Sequence, residues 1–434
     1  MSFPLLAEQY SMLYAQKLLG PGVAHNMTFT LPLPEGVDEA RVAGAVAVFC
    51  EHQAALRAAL RGSPPTVQWT GPDLPRPVVV ESADVERTVR ERLTALHLAE
   101  LHPAGVPMRA AFELVRGPGR RAVLVVAMDH LVSDARSSVV AARQLAALVE
   151  GGPYGPGLPA PGDYADWCRR RAADGERSAA RETAAWRSAL DAVSPLHDPA
   201  LDGAVGPAVL SQRDHVHDGA DLDRAVRRLS TELGVSEFTT VSALLSLVLW
   251  QRTGQRDFVV HTPVSTRRRQ QVDEVVGYFI NERPLVCHIE EDRSLVEHAQ
   301  DMYHSSLCAV RHSRLSVPEL AEAVPAYRAA LEGDQVGYVQ LHVSRGTGEL
   351  PGSGRPGPGA SAPRTTELGA FRPGRPMTCT TVRFDFDPRQ TLVRSFFGGP
   401  RSGAPSAGEI ADGVVALLRR AAGAGHQPVA KLVA

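Results

Sequence analysis

AVLVVAMDHLVSDARSS, residues 122–138, is the stretch whose reading decides the fold. Residues 122–128 form an unbroken apolar run of buried-strand composition that stops abruptly at Asp129 and His130, with Asp134 four residues later. Titratable groups are thus delivered at the end of a strand that belongs to a core. Ser137 or Ser138 is expected to cap the helix that follows, whose apolar positions Val139, Val140, Leu145 and Leu148 suit one buried face. The unit is strand, short polar loop, helix.

Immediately upstream, residues 110–116 read as a second strand. Gly117-Pro118-Gly119 joins it to the first as a hairpin, because glycine supplies the positive φ such turns use. Further upstream the chain alternates: a strand at 27–33, a helix at 38–60 with Val42, Val46, Phe49, Leu56 and Leu60 on one side, a strand at 77–81 and a helix at 85–101. A Gly/Pro-rich segment, 151–162, closes this part, and 164–190 reads as a helical bridge. Downstream the style repeats without a sequence repeat. Helices at 221–233 and 236–253 stop at Gly234 and Gly254, a strand at 258–264 runs into Ser265-Thr266-Arg267-Arg268-Arg269, and 338–343 is a strand. A Gly/Pro/Ser-rich loop at 346–376, strands at 380–386 and 392–397, and a helix at 407–422 complete the chain.

The 434 residues exceed one ordinary core, so two domains of about 150 to 250 residues are expected. Their division is placed at 1–175 and 176–434. An apolar share of 44% with 22% charged residues is that of a globular protein, and a formal charge of -2 gives no electrostatic support to nucleic-acid or anionic-membrane partners. The five cysteines, Cys50, Cys168, Cys287, Cys308 and Cys379, are scattered and odd in number; they form neither a metal pattern nor a disulfide framework, which favours a cytoplasmic setting. MSFPLLAEQY lacks the pattern of an export signal, and the best apolar run, 241–250, is about half a membrane span.

His-x-x-x-Asp occurs three times, at His130/Asp134, His217/Asp221 and His288/Asp292. Asp221 is well placed to cap a helix, and His288 lies in the acidic segment HIEED, so only His130 follows a buried strand, where a fixed tautomer makes imidazole a useful base. His215-x-His217 lacks a third ligand of metal type, so no metal is expected. The arginines 267–269 suit either a phosphate or one ion pair with two solvated side chains, Trp167 and Trp186 read as packing anchors, and no glycine fingerprint for nucleotides is present.

Met128-Asp129-His130-Leu131-Val132-Ser133-Asp134-Ala135 resembles the HHxxxDG motif of nonribosomal peptide synthetase condensation domains, within the chloramphenicol-acetyltransferase-like acyltransferases. Other pieces follow in family order. Leu6-Ala7-Glu8-Gln9 resembles the opening motif, Glu51-His52-Gln53-Ala54-Ala55-Leu56-Arg57 the RHExLR-type helix, and Tyr164-Ala165-Asp166-Trp167 the YxDFAxW segment. Thr262-Pro263-Val264-Ser265-Thr266-Arg267 resembles the TPxxxR strand end, Val276-Gly277-Tyr278-Phe279-Ile280-Asn281 the VGxFxN motif, and His312 with Val317-Pro318-Glu319-Leu320 the HxxxPFExL element.

The resemblance implies an α/β fold of mixed sheets: two chloramphenicol-acetyltransferase-like lobes in a V-shaped pseudo-dimer with a central tunnel. A donor thioester on a carrier protein's phosphopantetheine arm reaches one end and an amine or alcohol acceptor the other. His130 takes the place of the general base or positioning group, and Asp134 that of a structural carboxylate paired with Arg267. Asp129, Ser133, Ala135, Tyr278 and Asn281 fall at or near the tunnel. No cofactor is bound by the chain itself. With no LGGxS-type carrier motif in the sequence, the carrier is expected to act in trans.

The chain also departs from the family pattern. Asp129 stands where the first motif histidine is usual, Ala135 replaces the glycine, Glu282 follows Asn281 in place of threonine, and Val286 stands where an arginine often ends that motif. A nearby carboxylate raises an imidazole's pKa, but adjacent strand residues point to opposite faces, so Asp129 is expected to be structural. Ala135 is tolerable if its φ is negative. The expected activity is a free-standing, divergent condensation enzyme forming an amide or ester in natural-product biosynthesis. The alternatives are a CoA-dependent acyltransferase of the same superfamily and a catalytically silent domain that recruits partners.

Overall fold

The computed structural model describes residues 2–433 apart from 20–25, 62–65, 70–74, 98, 100, 102–108, 152–157, 161–162, 199–207, 268–271, 334–335, 346–362, 372–376 and 401–402. Most of the segment 151–162, Arg268, Arg269 and most of the loop 346–376 therefore lie outside the described residues. The first lobe runs β1 (Ser2–Pro4), α1 (Ala7–Leu19), β2 (Asn26–Pro32), α2 (Glu39–His52), β3 (Ala58–Arg61), β4 (Thr66–Trp69), β5 (Val78–Glu81), α3 (Val85–His97), β6 (Ala110–Arg116), β7 (Ala122–Asp129), α4 (Ala135–Glu150) and α5 (Asp163–Ala189). The second runs β8 (Ala208–Asp218), α6 (Asp221–Leu233), α7 (Glu237–Thr253), β9 (Asp257–Ser265), β10 (Ile280–His288), α8 (Leu295–Arg311), α9 (Val317–Ala323), α10 (Pro325–Glu332), β11 (Val336–Arg345), β12 (Arg364–Phe371), β13 (Met377–Phe386), β14 (Gln390–Pro400), α11 (Ala404–Arg420) and α12 (Val429–Val433).

Both lobes are α/β, built on mixed sheets. In the first, the order is β2-β7-β6-β5, with a small β1-β4-β3 sheet beside it. The pleat explains why β7 is apolar at nearly every position. Leu124, Val126 and Met128 pack with Val46 and Phe49 of α2 and Leu145 of α4, while Val125 and Ala127 face Val85 and Leu96 of α3. The β6–β7 hairpin forms as expected, with Gly119 and Arg120 both at positive φ. The second sheet has the order β10-β9-β11-β13-β14-β8-β12. Helix α7 is apolar on all sides because Val241, Leu244, Leu245, Leu247 and Leu249 are all buried in one core. No single helix of the described residues is long and apolar enough to cross a membrane.

Helix α5 joins the lobes. Tyr164, Trp167 and Cys168 near its start lie in the first core, and Trp186 near its end lies in the second, with its indole N–H donating to the His312 carbonyl at 2.9 Å. The expected division at residue 175 falls inside this helix. Residues Val272, Val275, Val276 and Phe279, although late in sequence, pack into the first core.

Four local expectations are corrected. The helix expected over 38–60 ends at His52, then turns through Ala54–Arg57 and becomes β3: Gln53 leaves helical geometry and its side chain is taken by tertiary bonds, while β3 pairs with β4. The helix expected over 85–101 ends at His97. Asp221 caps nothing; it is the first residue of α6 and pairs with Arg224 one turn on. Within the expected loop 346–376 lies strand β12, at the sheet edge, where Gly and polar residues are tolerated because only one neighbour, β8, must be matched.

Two core histidines set a pH limit. His298 lies 2.8 Å from the Ser246 hydroxyl and His261 3.1 Å from that of Tyr327; burial lowers the first to about 4 and the second to about 3, from 6.5. Both are neutral when folded and bind protons more readily when unfolded. Their stabilising contribution is complete above about pH 6.5 and is lost as pH falls toward the folded values, at about 1.4 kcal/mol per pH unit for each. Urea midpoints are expected to fall from pH 7 to pH 5, and His298→Leu to flatten that slope by about one proton; a slope unchanged in the variant refutes the assignment.

Candidate active site

The site forms where β7 ends and the segment 272–281 of the second lobe closes on it. Asp129 is the last residue of β7. One of its carboxylate oxygens accepts from the Leu131 N–H at 2.8 Å, starting the turn His130–Val132, and the other accepts from the Arg109 guanidinium at 2.6 Å. Arg109 also donates to the Ala58 carbonyl at 2.7 Å. This pair is almost fully buried, with side chains 3% and 6% exposed. Burial pulls the Arg109 pKa down and Asp129 pulls it back up. Asp129 is thereby committed to Arg109 and to the turn, as a strut.

His130 is half-buried at the start of that turn. Its Nδ1 lies 2.7 Å from the Ser133 carbonyl oxygen. A carbonyl only accepts, so Nδ1 carries the hydrogen, and in the neutral ring the lone pair is on Nε2. The Tyr278 ring stands edge-on to the imidazole, with centroids 5.4 Å apart and planes at 89°. The turn is held from behind: Gln9 of α1 donates to the Leu131 carbonyl at 3.1 Å, and Ser133 donates its hydroxyl hydrogen to the Asp129 carbonyl at 2.8 Å.

Asp134, not Ser137 or Ser138, caps α4. Its backbone is extended and its carboxylate accepts from the Ser137 N–H at 2.7 Å. Ser137 is drawn elsewhere by tertiary partners, its hydroxyl lying 2.8 Å from both the Gly277 carbonyl and the Arg267 guanidinium. The Asp134–Arg267 pair is present at 3.2 Å, and the second Asp134 oxygen takes the Phe279 N–H at 3.3 Å. Arg267 lies over the Phe279 ring, 3.8 Å from its centroid, and donates to the Val272 and Val275 carbonyls. Ala135 is the first residue of α4 with ordinary helical backbone, so no glycine is required there.

The 272–281 segment is locked by side chains from both lobes. Gln53 accepts from the Val276 N–H at 2.7 Å and donates to the Glu274 carbonyl at 3.0 Å. Asn281 is fully buried: its amide donates to the carbonyls of Ser313 and Leu315, and its oxygen accepts from Ser11 of α1 at 2.9 Å. A Cβ on Gly277 would meet Tyr164 Cε2 at 2.3 Å and Phe279 Cε2 at 2.6 Å. Gly277→Ala is therefore expected to cost about 1 to 3 kcal/mol by overpacking, measured by urea unfolding; a neutral result would show that Tyr164 moves freely.

The sequence-derived residues His130, Asp134, Arg267, Asp129, Ser133, Ala135 and Tyr278 thus come together, whereas Asn281 acts as a clasp set back among α1 and the 313–315 segment. Sequence reasoning missed Arg109, Gln53 and Gln9. Gln53 and Gln9 lie inside quoted motifs, but the Arg109 signal is faint: one charged residue just before an apolar strand. The His215 and His217 rings lie 3.9 Å apart and tilted on β8, in the other sheet from the β7 strand that leads to His130, and Asp412 holds His215 at 3.4 Å and also pairs with Arg213.

Residues 2–333 match the family model described as Condensation domain. Among curated proteins, the malpinin synthetase of Mortierella alpina is 27% identical over 353 residues, which is 74% of this chain and 4% of that protein; the chain spans about a twentieth of the length of such relatives. Among solved structures, the SgcC5 protein from Streptomyces globisporus is 21% identical with a TM-score of 0.73, covering 98% of this chain and 100% of that one. The X-domain of teicoplanin biosynthesis, solved in complex with OxyB, is 19% identical with a TM-score of 0.69 over 99% of this chain and 95% of that one. With most of its length matched by that model and the same fold throughout, the chain belongs to the Condensation domain family.

Proposed function

We propose that this chain is a condensation enzyme that joins an acyl or aminoacyl thioester, borne on the phosphopantetheine arm of a carrier protein, to an amine or alcohol. The observation that carries the reading is the His130 tautomer: Nδ1–H is tied to the Ser133 carbonyl, which leaves the Nε2 lone pair for a substrate N–H or O–H. In the step proposed, the acceptor's nitrogen or oxygen attacks the thioester carbonyl, the C–S bond breaks, and the acceptor's proton passes through Nε2 to the departing thiolate. No acyl-enzyme is required, so orientation supplies much of the rate. The tunnel that delivers donor and acceptor from opposite ends belongs to this reading, as do delivery of the carrier in trans and a cytoplasmic setting. The membership of nonribosomal peptide synthetases among the relatives supports peptide-type bond formation in natural-product biosynthesis.

The test supplies candidate carrier-bound donors and acceptors and follows product by intact-protein mass spectrometry, with soluble CoA thioesters as a parallel arm. Product from carrier-bound donors that depends on His130 is the expected outcome. Efficient turnover of the CoA thioesters alone would replace the carrier with CoA. Biological output that survives His130→Ala would point to the recruiting alternative.

A further inference from the structure

The second-lobe sheet presents a polar patch that the chemistry above leaves unused. Alternation on β11 sends Val339 and Leu341 into the core and leaves Tyr338, Gln340 and His342 half-buried on the opposite face, where the Tyr338 ring stacks on the buried His261 at 4.3 Å and still packs against the core. Glu282 of β10 joins them. The Gln340 amide N–H donates to Glu282, and the Tyr338 hydroxyl does so too. The Gln340 carbonyl is occupied by His342 Nε2 at 2.9 Å and by the Thr381 hydroxyl at 3.1 Å.

This network fixes protons. Since His342 donates from Nε2, its Nδ1 is an acceptor, and burial, with the Arg383 charge nearby, lowers its pKa to about 3, so it stays neutral. The Gln340 amide N–H can only donate to Glu282, and the Gln340 carbonyl is already taken, so of the two direct partners only the Tyr338 oxygen could accept a carboxylic acid proton. Burial raises the Glu282 pKa, while Tyr338 and Gln340 hold it down. Among the described residues no arginine or lysine forms an ion pair with Glu282; Arg283, the next residue along the strand, is fully buried and donates instead to the Leu315 carbonyl. Among the described residues no cation touches this half-buried carboxylate; the Arg283 charge, held at the Leu315 carbonyl, acts on it from the next residue and offsets its desolvation only in part. The patch also belongs with the active site. Glu282 lies four residues beyond Tyr278 on the strand that leaves the site, and the Tyr278 ring stands against His130.

We propose that Glu282, held by Tyr338 and Gln340, is the counter-ion subsite for a protonated amine carried by the acceptor substrate, with His342 Nδ1 as an adjacent hydrogen-bond acceptor. The assignment rests on the reading that the acceptor reaches His130. It makes the chain selective for acceptors that bear a basic amine apart from the group being acylated.

The test is a binding titration, read apart from turnover, that compares an amino alcohol, aminopentanol, with the diol of equal length, pentanediol. Wild type is expected to bind the amino alcohol about tenfold more tightly, and Glu282→Gln to bind both alike while unfolding at the same urea concentration. Glu282→Thr serves as a second variant should the amide disturb the Gln340 bond. Equal binding of the two probes by wild type overturns the subsite, as does a preference that survives in both variants. A binding preference without product from any carrier-bound donor would sink the condensation reading instead.

Discussion

Replacing His130 by alanine is expected to lower product formation by about a hundredfold to ten-thousandfold, the range a positioned general base contributes. The expectation is this large because the lost group is the one in the turn proposed to take the acceptor's proton, through the ring nitrogen that the Ser133 carbonyl does not hold. Its other nitrogen is spent on the Ser133 carbonyl, and Asp129 is bound to Arg109 and Leu131, so it cannot take over the role. The fold should barely notice. His130 is half-buried, and the turn is held independently by Gln9, Asp129 and Ser133, so the melting temperature is expected to stay within about 3 °C of wild type. Mass spectrometry of the carrier and of released product separates the two readouts. Equal product from wild type and His130→Ala, above the uncatalysed background, would remove His130 from the reaction.

The strand that delivers His130 was legible because burial on both faces of β7 leaves a short, valine-rich apolar run, where an all-round buried helix such as α7 spans 17 residues. The pairing of Asp134 with Arg267 came from resemblance, not from spacing, since the two are 133 residues apart. What local sequence could not decide was which residue caps α4. Asp134, Ser137 and Ser138 are all good capping residues, and the choice falls to Asp134 because Gly277 and Arg267, from the other lobe, claim the Ser137 hydroxyl. The Asp129–Arg109 strut was illegible for a similar reason: its partners meet only after the β6–β7 hairpin has folded, and a lone arginine before a strand carries no signal of its own. Alanine-rich residues 54–60 look helical locally, yet the pairing of β3 with β4 overrides that preference. Glu282 was visible only as a departure from the family pattern, and its meaning required the placement of β11 beside β9 and the reach of Gln340 across to β10.

The second large effect is expected at the pair that ties the catalytic turn to the other lobe. Arg267→Ala leaves Asp134 as a buried charge without its cation, and it also strips the Val272 and Val275 carbonyls of a donor, so a loss of about 3 to 5 kcal/mol is expected. Asp134→Ala should cost as much by a different route, since it removes the α4 cap, the bond from the Phe279 N–H and the counter-charge of Arg267. Lysine is not a substitute at 267, because one ammonium cannot reach Asp134, Ser137 and two carbonyls while lying flat over the Phe279 ring. A double-mutant cycle by urea unfolding distinguishes a coupled pair from two independent losses. Removing both partners leaves no uncompensated charge, so the double variant is expected to be less destabilised than the sum of the singles by about 1 to 3 kcal/mol. Additivity within about 0.3 kcal/mol would mean that each residue stabilises the fold through its backbone contacts alone. The turn and the 272–281 segment would then meet without an electrostatic lock, and the placement of Tyr278 against His130 would depend on Gln53 and Ser137 instead.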